Sequence, residues 1–239
     1  MNMRQYVLVG FVMIGLLGAK VMASDRYKDE ATIQMHYIEA DYPIYESLSQ
    51  MTGDSDLVVV GQVKEVRPAY RVVPDGVPVQ ELPKEKADNV GFFVTEVVFV
   101  VQQNLMGDDA NNGQEIVVIQ LGGGDGTNLF VMEQEPISEV GKTYLLFLDA
   151  VDDVSQTYTI VGGPQGRYLA QRSLLTMVSE EANYYPLVTA LVGMNVDDVT
   201  NNFDALLDTI QVEIPEEKDA PVTDSPLIDV STKPLQPSK

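Results

Sequence analysis

Glu139-Val-Gly-Lys-Thr-Tyr-Leu-Leu-Phe-Leu148, EVGKTYLLFL, carries the letters G-K-T immediately before an apolar run. A phosphate-binding P-loop spaces G-x-x-x-x-G-K-[ST] between a strand and a helix. Its first glycine would fall at Pro136, and the residues after Thr143 are YLLFL, a β pattern rather than a helical one. Both requirements fail. Gly141-Lys142 therefore reads as a turn, and Tyr144–Leu148 as a buried strand. With that choice the chain becomes a β protein without a nucleotide cradle.

Working outward, neighbouring segments have the same character. Leu57–Val66 (LVVVGQVKEV) begins as an apolar run and then alternates. Val63 and Val66 are out of phase, which predicts a bulge near Gly61. Residues 67–90 hold Pro68, Pro74, Pro78 and Pro83 and predict a long exposed loop. Strands are expected at 92–101, 115–121, 144–148 and 158–161, with a further pairing segment at 128–132. Glycine-rich turns separate them at 107–113, 122–126 and 162–166, and Arg167-Tyr168-Leu169 closes the series. Before the strands, Tyr45, Leu48 and Met51 predict a short helix ending at Gly53-Asp54. After them, Val196, Val199, Phe203, Leu206, Leu207 and Ile210 share one helical face, with Asn195 as N-cap. That helix is expected to pack on the barrel's open end. A second helical piece is expected over 173–183. Short strands, Gly-rich turns and a late helix predict a mainly β fold, a small OB-like barrel with a C-terminal amphipathic helix.

The expected organisation is a signal peptide at 1–23, a polar segment with the short helix at 24–53 and the barrel at 54–172. A helical segment at 173–214 and a disordered Pro-rich tail at 215–239 follow. Arg4, the apolar run Tyr6–Gly18 and Val21-Met22-Ala23 form the secretory pattern, with cleavage expected after Ala23. The run is short for a membrane span of about 20 residues, so no membrane insertion is expected after cleavage. The chain has no cysteine, which for an exported protein of this size points to a bacterium. The formal net charge of −21 opposes binding to nucleic-acid phosphates and anionic lipid surfaces. A protein or cell-envelope partner is the expectation instead.

Catalytic constellations are scarce. His36 is the only histidine, and with no H-E-x-x-H a catalytic zinc site is not expected. His36 reads as a surface residue. With neither cysteine nor G-x-S-x-G, nucleophilic triads are ruled out as well. Glu96 lies in a strand and is expected on its solvent face. Tyr70, Tyr158 and Tyr168 read as barrel-wall residues rather than sugar platforms. LGGGDGTN is read as a hairpin, since LFVME follows it and no G-x-G-x-x-G is present. Calcium, which needs only oxygen ligands, has weak candidates in Asp108 and Asp109, near Asn111 and Asn112, and in Asp149, Asp152 and Asp153.

The order of segments from 54 to 170 resembles a known arrangement. Ser55–Val63 (SDLVVVGQV) is followed by a long loop. Thr95–Val101 (TEVVFVV) then runs into Asn104-Leu105-Met106-Gly107, before Ile116–Ile119 and Val140–Leu148. This resembles the netrin-module and tissue-inhibitor-of-metalloproteinase arrangement of the OB-fold. It resembles more closely a group of uncharacterised exported bacterial proteins that end in a G-G-x-Q-G-[KR]-[FY] turn, here Gly162–Tyr168. The resemblance implies the fold. The metal-chelating N-terminal cysteine and the disulfides of the animal inhibitors have no counterpart here, so no functional residue is carried over. The expectation is an exported, non-enzymatic binding or interaction module, with its surface beside 67–90 and 122–127. The alternatives are a carboxylate-dependent cell-wall hydrolase and a calcium-binding acidic matrix protein.

Overall fold

A computed structural model describes residues 33–38, 40–73, 91–108, 110–152 and 155–213. The chain divides into two units, Met1–Thr32 and Ile33–Lys239, and every described residue lies in the second. The signal peptide, residues 74–90 of the predicted loop, Asp109, Asp153 and the tail at 215–239 lie outside the described residues.

The central feature is a barrel. Strands β2 (Leu57–Val66), β4 (Phe92–Met106), β5 (Glu115–Leu121), β8 (Thr143–Ala150) and β9 (Thr157–Ile160) follow the order β8-β2-β4-β5-β9. β9 also pairs with β8 and closes the ring. All pairs in the ring are antiparallel except β5 with β9. The fold is thus mainly β, with an OB-like closed barrel of five strands. Three register shifts interrupt the β2–β4 ladder, and one falls between Val60 and Gly61, where the sequence predicts a bulge.

EVGKTYLLFL behaves as its pattern predicts. Gly141 sits at φ +80°, a backbone conformation that glycine adopts without strain, and Lys142 N–H closes the turn on Glu139 O at 3.1 Å. Tyr144, Leu146 and Leu148 then point into the barrel, beside Leu57, Val59, Phe99, Ile116 and Tyr158. Leu145 and Phe147 point outward into a second apolar layer with Val58, Val60 and Tyr168. With both faces buried, no polar position is needed, so the strand is a continuous apolar run. The same reason gives LVVV at the start of β2.

The helices cover this second layer. α1 (Leu48–Gly53), α2 (Pro186–Leu191), α3 (Val196–Asn201) and α4 (Phe203–Thr209) contribute Leu48, Met51, Leu187, Leu191, Val199 and Phe203 to it. The rings of Phe203 and Phe147 lie 6.2 Å apart. The late helical segment therefore packs along the barrel wall and not on its open end. It is two short helices rather than one. Asn202 leaves the helical conformation at φ −123°, and Asn195 caps the first helix by accepting from Asp197 and Asp198 N–H. Of the helical piece expected over 173–183 only the end is helical: β10 (Arg167–Gln171) turns into β11 (Leu174–Thr176), a short 3-10 helix follows at Glu180–Tyr184, capped by Ser179, and helix α2 starts at Pro186. Pro186 suits a first helical position, where no amide hydrogen is required.

Three further strands lie where none is predicted, β3 (Tyr70–Val72), β1 (Gln34–Tyr37) and β6 (Gly123–Gly124). β3 pairs with β4 inside the expected loop 67–90. β1 runs parallel to β7 (Asn128–Val131), which pairs with the two-residue β6. His36 belongs to β1. It is half-buried, stacked on Phe130 at 4.7 Å and within 3.2 Å of Asn128 Oδ1, not freely exposed.

Candidate functional site

Alternation along β4 and β5 sends Thr95, Val97, Val118 and Gln120 inward, which turns Val94, Ile119 and Leu121 to the outside. Register aligns these side chains: Val94 stands opposite Leu121 on one side and Tyr70 on the other, Phe92 opposite Val72, and Ile119 opposite Thr159. Together they floor a cavity of about 380 Å³ on the outer face of the barrel, and Val151, Ile160, Tyr42 and Glu135 complete its lining. The walls are aliphatic and aromatic, and Glu135 is the one ionisable carboxylate among the lining residues.

Glu135 is 5% exposed, and its Oε2 accepts a 2.7 Å hydrogen bond from Tyr42 Oη. Burial pushes its carboxyl above the usual carboxylate range, while the charge of Arg167 and the Tyr42 bond pull the other way. The Tyr42 phenol is raised as well, first by burial and then by the adjacent Glu135.

Arg167 lies behind this pair at the end of the barrel interior and is 1% exposed. It donates to Gln120 Oε1 at 2.9 Å, to Ser138 Oγ at 2.7 Å and to Pro136 O at 2.5 Å, and it sits 5.8 Å from the Tyr144 ring centre. Burial lowers its pKa, opposed chiefly by Glu135. Among the described residues its Nε has no hydrogen-bond partner. Arg167 is therefore a positioning residue for the 136–138 turn.

The turn Gly162–Gly166 holds Tyr42 in place. A Cβ on Gly163 would fall 2.5 Å from the Tyr42 ring, and one on Gly162 would fall 2.7 Å from the Tyr45 ring. Gln165, fully buried, accepts from Tyr45 N–H at 3.0 Å and donates to Pro43 O at 2.6 Å. The G-G-x-Q-G-R-Y stretch is thus a clamp on Tyr42–Tyr45, and through Tyr42 it orients Glu135.

β3 is fastened to the same face by Glu96, which points outward as expected. Arg67 binds its Oε2 at 2.6 Å and Tyr70 Oη its Oε1 at 3.0 Å. The Tyr70 phenol is pushed up to about 12, first by burial and then by its bond to Glu96. Tyr158 lies in the barrel interior and Tyr168 in the outer apolar layer, both as wall residues; of the three tyrosines, only Tyr70 lines the cavity.

The calcium candidates do not gather. Asp108 is exposed in its turn, where Asn112 Oδ1 instead accepts from Asn104 N–H at 3.0 Å. Asp152 caps Ser155, whereas Asp149 is hydrogen-bonded to Asp56. Burial, then that bond, then the charges of Asp56 and Asp54 raise the Asp149 carboxyl. Among the described residues no group of three or more His, Cys, Asp or Glu side chains is arranged to hold a metal ion. Nor is any of their helices long and apolar enough to cross a membrane.

The sequence points to the face beside 67–90 but does not single out Tyr42, Glu135, Gln165 or Arg167. The signal for three of them was present in GGPQGRY and YPIY, whose small and aromatic residues fit together in space. Glu135, one of 36 acidic residues, had none. No family model matches the chain, and no curated protein matches its sequence.

Proposed function

We propose that the protein is an exported, non-enzymatic binding module whose ligand seat is the cavity on the outer face of β3, β4, β5 and β9. The observation that carries this reading is the cavity itself. It has largely apolar walls, a volume of about 380 Å³ and a few polar groups in its lining, as small-molecule sites do. The secretory pattern at 1–23 supports export. The likeness of segments 54–170 to netrin modules and to exported bacterial proteins supports an extracytoplasmic role. The barrel alone does not select a function, because such barrels host many. A glycoside hydrolase needs two carboxyl groups flanking the scissile bond, and this cavity's lining offers one. That favours binding over hydrolysis.

Titration with N-phenylnaphthylamine, a neutral dye that fluoresces in apolar surroundings, tests the reading. The protein used begins at Ser24. Saturable binding of one dye per chain is expected, and Ile119→Trp, which fills the cavity floor, should abolish it. Dye uptake that never saturates, or that survives Ile119→Trp in a folded protein, would contradict a ligand seat here. N-terminal sequencing of protein recovered from the culture fluid checks export: a chain starting at Ser24 is expected, and one retained in cells with Met1 intact would oppose it.

A further inference from the structure

Glu135 gives the cavity a polarity that its apolar walls do not need. A buried carboxylate costs several kcal/mol unless it is paired and hydrogen-bonded. Here it has one neutral donor, Tyr42 Oη. The groups that act on it are Tyr42, Tyr185 and Arg167. Arg167 donates through Nη1 to Gln120 and Ser138 and through Nη2 to Pro136, and among the described residues it closes no ion pair with Glu135. The second carboxylate oxygen, Oε1, accepts no hydrogen bond from the described residues, and Glu135 lines the cavity.

Resting on the reading of this cavity as the ligand seat, we propose that it takes an aliphatic ligand ending in a protonated amine. The ammonium group seats against Glu135, and the alkyl chain lies on Val94, Ile119 and Leu121. Three observations converge on a cation. Among the described residues Glu135 is the one carboxylate in a lining that is otherwise mostly aliphatic and aromatic. The rings of Tyr42, Tyr70 and Phe92 offer electron-rich faces, which attract ammonium groups. The chain's net charge of −21 enriches cations around it and repels anions. An ammonium also supplies the donor that Glu135 Oε1 lacks among the described residues, and such charge-assisted bonds are about twice as strong as neutral ones.

Displacement of bound N-phenylnaphthylamine by hexylamine, hexanol and hexanoate at pH 7 tests the assignment. Hexylamine should compete at least roughly tenfold better than hexanol, the discrimination that one charge-assisted hydrogen bond gives. Hexanoate should be the poorest. Glu135→Gln keeps the shape and the Tyr42 bond, and should bring amine and alcohol level while dye binding persists. In the unsubstituted protein, amine affinity should fall as pH is lowered through the titration of Glu135, because the bound form needs the carboxylate. Hexanol affinity should stay flat. N-acetyl-lysine amide serves as the arm for a lysine side chain of a partner protein: competition matching hexylamine assigns that source, and clearly weaker competition assigns a free amine. Equal competition by hexanol and hexylamine, with dye binding intact, would overturn amine selectivity and leave the ligand seat standing. Loss of dye binding altogether would overturn the seat itself.

Discussion

Gly163 sits against the Tyr42 ring with φ +56°, so any side chain there would meet both strain and a ring 2.5 Å away. Two residues on, Gln165 closes both its amide ends on the backbone of Pro43 and Tyr45. These two contacts translate a turn in the sequence into the position of the one carboxylate among the described residues of the cavity lining. Gln165→Ala leaves the buried Tyr45 N–H without its acceptor and the part-buried Pro43 C=O without its donor, at about 2–3 kcal/mol for the two together. For a protein of this size that corresponds to a fall in Tm of roughly 5–10 °C, measurable by differential scanning calorimetry. An unchanged Tm would mean that water satisfies both groups and that the clamp contributes nothing. GGPQGRY was legible in the sequence as a turn. Its role as a clamp was not, because its partners lie about 120 positions away and only the fold brings them together.

At the scale of elements, β3 depends on Glu96 as well as on its ladder with β4. Arg67 and Tyr70 both close on this one carboxylate. In Glu96→Ala, the amides of Tyr70–Val72 should exchange with deuterium faster while those of β5 stay protected. Equal protection of Tyr70–Val72 in Glu96→Ala and in the unsubstituted protein would show that backbone pairing alone holds β3. The elements themselves divide by how locally they are encoded. β2, β5 and β8 are apolar runs preceded by glycine-containing turns, and the sequence places them within two residues. β3 and β1 are short strands in polar surroundings, formed because β4 and β7 have free edges for them, so no periodicity announces them. The late helix shows a third case. Its apolar positions continue in phase through Asn202, yet Asn202 leaves the helical conformation while Val199 before it and Phe203 after it both stay packed on the barrel's outer layer, an arrangement that periodicity alone does not reveal.

For the whole molecule, charge is the dominant variable. Glu135 and Asp149 both have carboxyl groups raised above their unfolded values, so the native state holds protons that the unfolded chain has released. Stability therefore falls as pH rises from the ordinary carboxylate range through those raised values, and it recovers on mild acidification. Asp125 and Glu181 act in the opposite sense: hydrogen bonds lower their pKa values, and their contribution is lost on stronger acidification. A thermal series across pH should accordingly show its maximum Tm on the mildly acidic side of neutrality. Combining Glu135→Gln with Asp149→Asn should flatten the decline toward neutral pH, and an unaltered slope would assign it to diffuse repulsion among the surface acids. Salt should raise Tm near neutral pH by screening that same repulsion.

The ligand seat on the outer face is the claim on which the functional reading depends, and methyl NMR addresses it most directly. Protein with labelled Ile, Leu and Val methyl groups would be titrated with N-phenylnaphthylamine. Saturable shifts confined to Val72, Val94, Ile119, Leu121, Val151 and Ile160 are the expected result, with the barrel-interior methyls of Val59 and Leu146 unmoved. Shifts centred on other methyls, or none at saturating dye, would contradict it.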